Sequence, residues 1–261
     1  MLSTEWLNAF APVGSLRDQG AWVAHGAGVF FHKPPVLWLV TANHVVEQAG
    51  IESVSVLVTK SGGGNVIVVP IGKIVVQQGL GWIRDPHNDL AAAPMPMAAE
   101  FGIKALTEQY CIRLCDLLPS MPCFTIGCPY GLHGLDPTRA NPLVLDGVIA
   151  GVDPERRRVF TSAPTFRGNS GGPLIAVRSP FSTDGRLWGI GRPTVLFAGI
   201  MIESLFVPSE IPGPANPPLH LGRAVPVDAV IELLDSEPAR AVCARVSTLP
   251  ISCATGATPS G

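Results

Sequence analysis

Gly168-Asn169-Ser170-Gly171-Gly172-Pro173-Leu174 sets one serine among three close glycines, on a turn that leads straight into an apolar run. Glycine lets the backbone bend so that nearby amide N–H groups point into one cleft. The N–H groups of Gly168 and Ser170, with Asn169 between them, are the candidate oxyanion hole, and Ser170 is the candidate nucleophile. Two earlier segments give the turn its meaning. Thr41-Ala42-Asn43-His44-Val45-Val46 closes an apolar strand, and Asn88-Asp89-Leu90-Ala91-Ala92-Ala93 opens another. A serine hydroxyl near neutral pH needs a base in reach, and the base needs an orienting group. His44 is the candidate base and Asp89 the orienting acid, in the chain order His, Asp, Ser. The separations, 89 − 44 = 45 and 170 − 89 = 81 residues, make sense only if the three meet at a cleft between two subdomains.

Rival residues are weaker. Asp85 sits in Arg84-Asp85-Pro86, which reads as a loop, whereas Asp89 begins a buried strand. Ser162 and Ser179 lack the glycine context. His25, His32, His87, His133 and His220 read as structural.

Five segments in order resemble the trypsin-like (chymotrypsin-fold) serine peptidase family, most closely the bacterial branch that includes the HtrA-type proteases. They are Gly26-Ala27-Gly28-Val29-Phe30-Phe31, Leu37 to Val46, Asn88-Asp89-Leu90-Ala91, Arg167 to Leu174, and Gly222-Arg223-Ala224-Val225-Pro226-Val227. The chain departs from the family pattern at Ala27, where Thr is common, and at Asn43, where Ala is frequent. The resemblance implies an all-β fold of two six-stranded antiparallel β-barrels with a short C-terminal helix. The peptidase domain would span residues 9–234, with a first barrel over about 12–105, a second over about 106–226 and the helix over 227–234. Residues 235–261 are expected to be a flexible tail, too short for a PDZ domain. The implied activity is peptide-bond hydrolysis through an acyl-enzyme. The implied substrate pocket is walled by Pro164, Thr165 and Phe166 and by Leu221, Gly222 and Arg223. Pro164 brings no acidic charge, so a small or apolar residue is expected on the acyl side; Arg223 or His220 facing the pocket would favour an acidic one instead.

Composition agrees with a many-turned β protein. Of 261 residues, 28 are Gly and 26 are Pro, and 47% are hydrophobic, enough for a sizeable core. Only 15% are charged and the net charge is −2, which argues against nucleic acid as a partner. Arg156-Arg157-Arg158 reads as a solvated hairpin tip. Neither a signal peptide nor an apolar run of membrane-spanning length is visible, so a cytoplasmic location away from the membrane is expected. The six cysteines should then be mostly free thiols. Cys111, Cys115, Cys123 and Cys128 lack the short spacing of a zinc site, and no metal or cofactor is expected. The expected partners are a protein or peptide substrate and an activating protein. The alternative function is a protease-fold regulatory protein, inactive until a partner orders the oxyanion hole. A third reading is an esterase using the same site.

Residues 1–20 read as a lead with one helical turn near Glu5 to Phe10. Strands are predicted at Trp22 to Phe31, Val36 to Thr41, Val54 to Thr59, Val66 to Val69, Lys73 to Gln77 and Leu90 to Ala93. The second half adds Cys123 to Gly127, a hairpin of Val144 to Gly151 with Arg158 to Ser162, and Leu174 to Val177. Leu187 to Ile190 and Leu196 to Glu203 compete for the strand beside the cleft. Arg178 to Thr194 and the proline-rich loop Pro208 to Pro218 are candidate regulatory elements. Asp228 is a candidate cap for the C-terminal helix.

Overall fold

The apolar runs pair into two antiparallel sheets. The computed structural model describes residues 4–17, 21–62, 66–96, 101–129, 142–179, 193–206 and 218–248. The first half carries α1 (Thr4–Asn8), β1 (Phe10–Leu16), β2 (Trp22–Lys33), β3 (Val36–Ala42), α2 (Asn43–Ala49), β4 (Val54–Thr59), β5 (Val66–Val69), α3 (Ile71–Gln77), β6 (Ile83–Asp85) and β7 (Leu90–Pro94). Its seven strands form one sheet in the order β5-β4-β1-β2-β3-β7-β6. The second half carries β8 (Pro122–Gly127), β9 (Leu143–Asp153), β10 (Arg158–Thr161), β11 (Pro173–Arg178), β12 (Thr194–Phe206) and β13 (Pro218–Pro226). These close into a barrel in the order β10-β13-β12-β11-β8-β9. Two helices follow, α4 (Val227–Asp235) and α5 (Glu237–Thr248). The mostly β, chymotrypsin-type plan expected from the sequence is therefore present, with the short β6 as a seventh strand at the edge of the first sheet.

The two halves share one core. Phe31 of β2 meets Phe197 of β12 with ring centroids 6.2 Å apart. Ile200, Ile202 and Val225 join the cluster formed by Val29, Trp38 and Leu39. Helix α4 fills the seam with Val227, Val230 and Leu234. Each such side chain contributes about 1.5–3 kcal/mol when fully buried. The cleft between the halves thus rests on packed side chains, which fixes the relative placement of the groups on either side.

Several elements differ from the sequence reading. Residues 73–77 belong to helix α3, not a strand, because Ile71 and Val75, one turn apart, both bury. Gly72 lies so close to the chain at Ile51 and Glu52 that an ideal Cβ would sit 2.4 Å from the Ile51 carbonyl oxygen. Tertiary packing here overrides a β-branched run. The lead contains a true strand, β1, that pairs with both β2 and β4. Pro12 and Gly14, poor strand formers, hide it in the sequence. The expected tail begins with α5, which buries Ala239 and Val242 and whose first turn is capped by Ser236 through the Ala239 N–H at 3.4 Å. Asp228 does not cap α4. Its carboxylate accepts the Leu114 N–H at 2.9 Å and lies 3.6 Å from Arg113. The loop 208–217, most of the 178–194 insertion and residues 249–261 lie outside the described residues.

Candidate active site

Strand pairing brings two of the three candidate residues together. In the β3–β7 register Ala42 faces Leu90, so the residues just beyond, His44 and Asp89, become neighbours. Asp89 has φ of 57°, a left-handed conformation that Asp tolerates better than most side chains. From there its Oδ2 lies 2.7 Å from His44 Nδ1 and its Oδ1 accepts the His44 backbone N–H at 2.9 Å. Its carbonyl accepts the Asn43 N–H at 2.9 Å. The carboxylate thus holds a proton on Nδ1 and leaves Nε2 as the basic nitrogen.

Two further networks hold this pair. Asn43, the departure noted in the sequence, is buried and accepts a hydrogen bond from Arg84 Nε at 2.6 Å. It donates to Glu47 at 3.1 Å, and Glu47 pairs with Arg84. On the other side, Asp85 ends β6 instead of lying in a loop. Its two oxygens accept the Asn88 N–H and side-chain amide at 3.1 and 2.7 Å. Arg158, from the second barrel, donates to Asn88 Oδ1 and to the His87 carbonyl, both at 3.2 Å. Arg157 forms two 2.7 Å bonds to Glu232 of α4. The arginine run is therefore not a merely solvated tip. It ties the loop preceding Asp89 to the opposite half of the molecule.

Ser170 sits on the glycine turn between β10 and β11. Gly168 has φ of 104° and Gly171 φ of 86°. The Ser170 carbonyl accepts the Ala27 N–H at 2.8 Å, and Gly171 N–H donates to Met201 at 2.7 Å. Asn169 N–H is taken by the Phe166 carbonyl at 3.0 Å. Among the described residues, the amides of Gly168 and Ser170 have no hydrogen-bond partner and are the two free donors of the turn. The Asn169 side chain is buried against Gly127, and neither amide atom has a partner among the described residues. The Ser170 hydroxyl donates to the Ile202 carbonyl at 3.4 Å, and no hydrogen bond joins it to His44 among the described residues. Gly171 cannot be replaced without damage. An ideal Cβ there would lie 2.0 Å from the Ala27 carbonyl oxygen and 2.3 Å from Thr41 Oγ1. Gly171→Ala is expected to cost at least about 2 kcal/mol, lowering the melting midpoint by more than about 4 °C. An unchanged melt followed by circular dichroism would contradict this packing.

The strand beside the serine is β12, the second of the two candidates; Leu187 to Ile190 lies outside the described residues. Ser204 Oγ of β12 donates to the Thr165 carbonyl at 2.7 Å, and Thr165 Oγ1 donates to the Ala163 carbonyl at 3.1 Å. Gly222 packs tightly on Thr165 and on Met201 Cε. Arg223 is ion-paired with Glu203, its register partner. Pro164 and Phe166 are exposed and Leu221 is half-buried, while the His220 side chain lies outside the described residues. Ile202 and Glu203 lie in the expected cleft strand but no role was read for them, and Ser204 lies just beyond it; the pairing of β12 sets Ile202 against the serine and Ser204 against Thr165.

The four clustered cysteines differ in burial. Cys123 and Cys128 are buried, Cys111 is half-buried and Cys115 is exposed. Among the described residues, no three His, Cys, Asp or Glu side chains converge as metal ligands. Burial pushes the Cys123 thiol up to about 11 and the Cys111 and Cys128 thiols up to about 12. The thiolate is the reactive form. Iodoacetamide at mildly alkaline pH should therefore alkylate Cys115 first and spare Cys123 and Cys128 until the protein unfolds. Rapid alkylation of either buried thiol, read by peptide mapping, would contradict their burial.

No helix among the described residues is long and apolar enough to cross a membrane. No curated protein matches the chain. The model of the trypsin-like peptidase domain matches residues 26–190. That span is well over half of the sequence and contains the His44–Asp89 pair and the Ser170 turn, so the chain belongs to the trypsin-like peptidase family.

Proposed function

We propose that the protein is a serine endopeptidase working through His44, Asp89 and Ser170. The observation that carries this reading is the 2.7 Å His44–Asp89 contact, in a chain whose serine turn offers two amides without a partner among the described residues. In this mechanism the Ser170 hydroxyl leaves the Ile202 carbonyl and donates to His44 Nε2. His44 then takes the hydroxyl proton as Oγ bonds to the scissile carbonyl carbon. The carbonyl oxygen becomes an oxyanion held by the Gly168 and Ser170 N–H groups. His44 passes the proton to the leaving amine, the C–N bond breaks, and an ester to Ser170 remains. Water gives a proton to His44 and attacks the ester, releasing the acid and restoring the hydroxyl. Asp89 fixes the imidazole tautomer and stabilises the imidazolium.

Thr165 and Met201 crowd Gly222, which supports a shallow acyl-side pocket for a small or apolar residue. The five described cysteines are all unpaired, which supports a reducing compartment such as the cytoplasm. Incubation with an unfolded protein, with new N-termini identified by mass spectrometry, tests the reading. Discrete cuts after small or apolar residues are expected. Cuts after Lys or Arg would overturn the pocket assignment, and no cuts by folded protein would overturn the peptidase reading. One observation favours a second reading. The Ser170 hydroxyl bonds Ile202 instead of His44, as in a site that waits for a partner to align it.

A further inference from the structure

Beyond the serine, the wall opposite β12 has an unusual charge distribution. The β1–β2 hairpin lies against the nucleophile turn, since Ala27 N–H donates to the Ser170 carbonyl and Gly26 approaches the same oxygen. His25 precedes Gly26, and its Nε2 is 2.8 Å from Ser15 Oγ. Arg17 follows directly on β1, two residues after Ser15, where its N–H donates to the Ala21 carbonyl at 2.9 Å. Arg167 immediately precedes Gly168 on the other side of the serine turn and is exposed, as is Arg17. Both arginine charges act on His25. Burial lowers its pKa, and the charges of Arg167 and Arg17 lower it further.

Other guanidinium groups around the cleft are engaged, Arg158 by the Asn88 side chain and the His87 carbonyl. Arg84 pairs with Glu47, Arg157 with Glu232 and Arg223 with Glu203. Among the described residues, Arg17 and Arg167 have no acidic partner. Asp18, next in sequence, lies outside the described residues. Arg17 and Arg167 thus lie beside a half-buried imidazole next to the nucleophile turn, with neither held by a carboxylate among the described residues. A peptide crossing the site places its acyl half against β12 and Thr165, and its leaving half against this hairpin.

We infer that Arg17, His25 and Arg167 form a subsite for an acidic side chain on the leaving-group side of the scissile bond. The inference rests on the peptidase reading for the direction of the peptide. It selects peptides with Asp or Glu shortly after the cut. The guanidinium groups supply charge and paired donors to the carboxylate. Exposed pairs of this kind change affinity by up to about fivefold each.

The test uses Ser170→Ala protein, which binds without turnover, and two fluorescent peptides. Both have the same uncharged acyl half; the leaving half carries Asp-Glu in one and Asn-Gln in the other. Anisotropy titration is expected to show about fivefold tighter binding of the acidic peptide at low salt. The gap should close at high salt. It should also close when Arg17→Gln and Arg167→Gln are added, with an unchanged melting curve as the folding control. Equal affinities for the two peptides would overturn the subsite. So would a gap that survives both substitutions, or the same gap when Asp-Glu is moved to the acyl half. The peptidase reading fails separately. Wild-type protein that cannot cut an acidic peptide tightly bound by Ser170→Ala would sink hydrolysis and leave the subsite standing.

Discussion

Ser170→Ala is expected to lower kcat by about 10⁶-fold while leaving the fold intact. The two halves of that expectation have different physical sources. In the proposed mechanism Oγ is the atom that forms the acyl-enzyme, so without it neither His44 nor the amides of Gly168 and Ser170 can act. The stability effect is small because the hydroxyl makes one long bond, 3.4 Å to the Ile202 carbonyl, and fills no buried cavity. His44→Ala should cost a similar factor, and the double variant should be no worse than either single one. Residues that act as one unit are grossly non-additive. Steady-state kinetics on a peptide cut by the wild type would decide the matter. Substantial activity in Ser170→Ala would move the nucleophile elsewhere.

Asp89→Asn is expected to lower kcat by about 10⁴-fold and to destabilise the protein measurably as well. The carboxylate uses both oxygens, one toward His44 Nδ1 at 2.7 Å and one toward the His44 N–H at 2.9 Å. Asparagine has a single oxygen. If that oxygen keeps the backbone N–H, its amide group faces Nδ1 and forces the wrong imidazole tautomer. If it keeps Nδ1, the amide hydrogens face the backbone N–H, at a cost of about 1–3 kcal/mol. Either way the side chain cannot replace what Asp89 does. Kinetics and a thermal melt on one preparation test both parts. Activity within tenfold of wild type would contradict the assigned role of Asp89.

The candidate site was legible in the sequence where chemistry and local geometry coincide. Ser170 stands out because a glycine turn and an apolar strand are adjacent in the chain, and the positive φ values at Gly168 and Gly171 are what those glycines serve. His44 and Asp89 stand at the ends of apolar strands, β3 and β7, and strand pairing alone then makes them meet. What depends on register or on contacts between the halves was not legible. Glu203 and Ser204 reach the site only through the alignment of β12 with β13. The contacts of Arg158 with His87 and Asn88 join residues far apart in sequence, and no local pattern announces them. The helix α5 had a local signal that went unread. Ser236, Glu237 and Pro238 form a helix start, and Ala239, Val242, Cys243 and Val246 follow at helical spacing. Helix α3 had the opposite difficulty, since a β-branched run was made helical by burial of one face.

The central claim, that His44, Asp89 and the amides of the Gly168–Ser170 turn activate Ser170, is tested most directly by intact-mass analysis after treatment with a fluorophosphonate. The account predicts one adduct on the wild type, located at Ser170 by peptide mapping and absent from Ser170→Ala. A folded wild type that stays unlabelled would contradict it, as would an adduct that persists in Ser170→Ala.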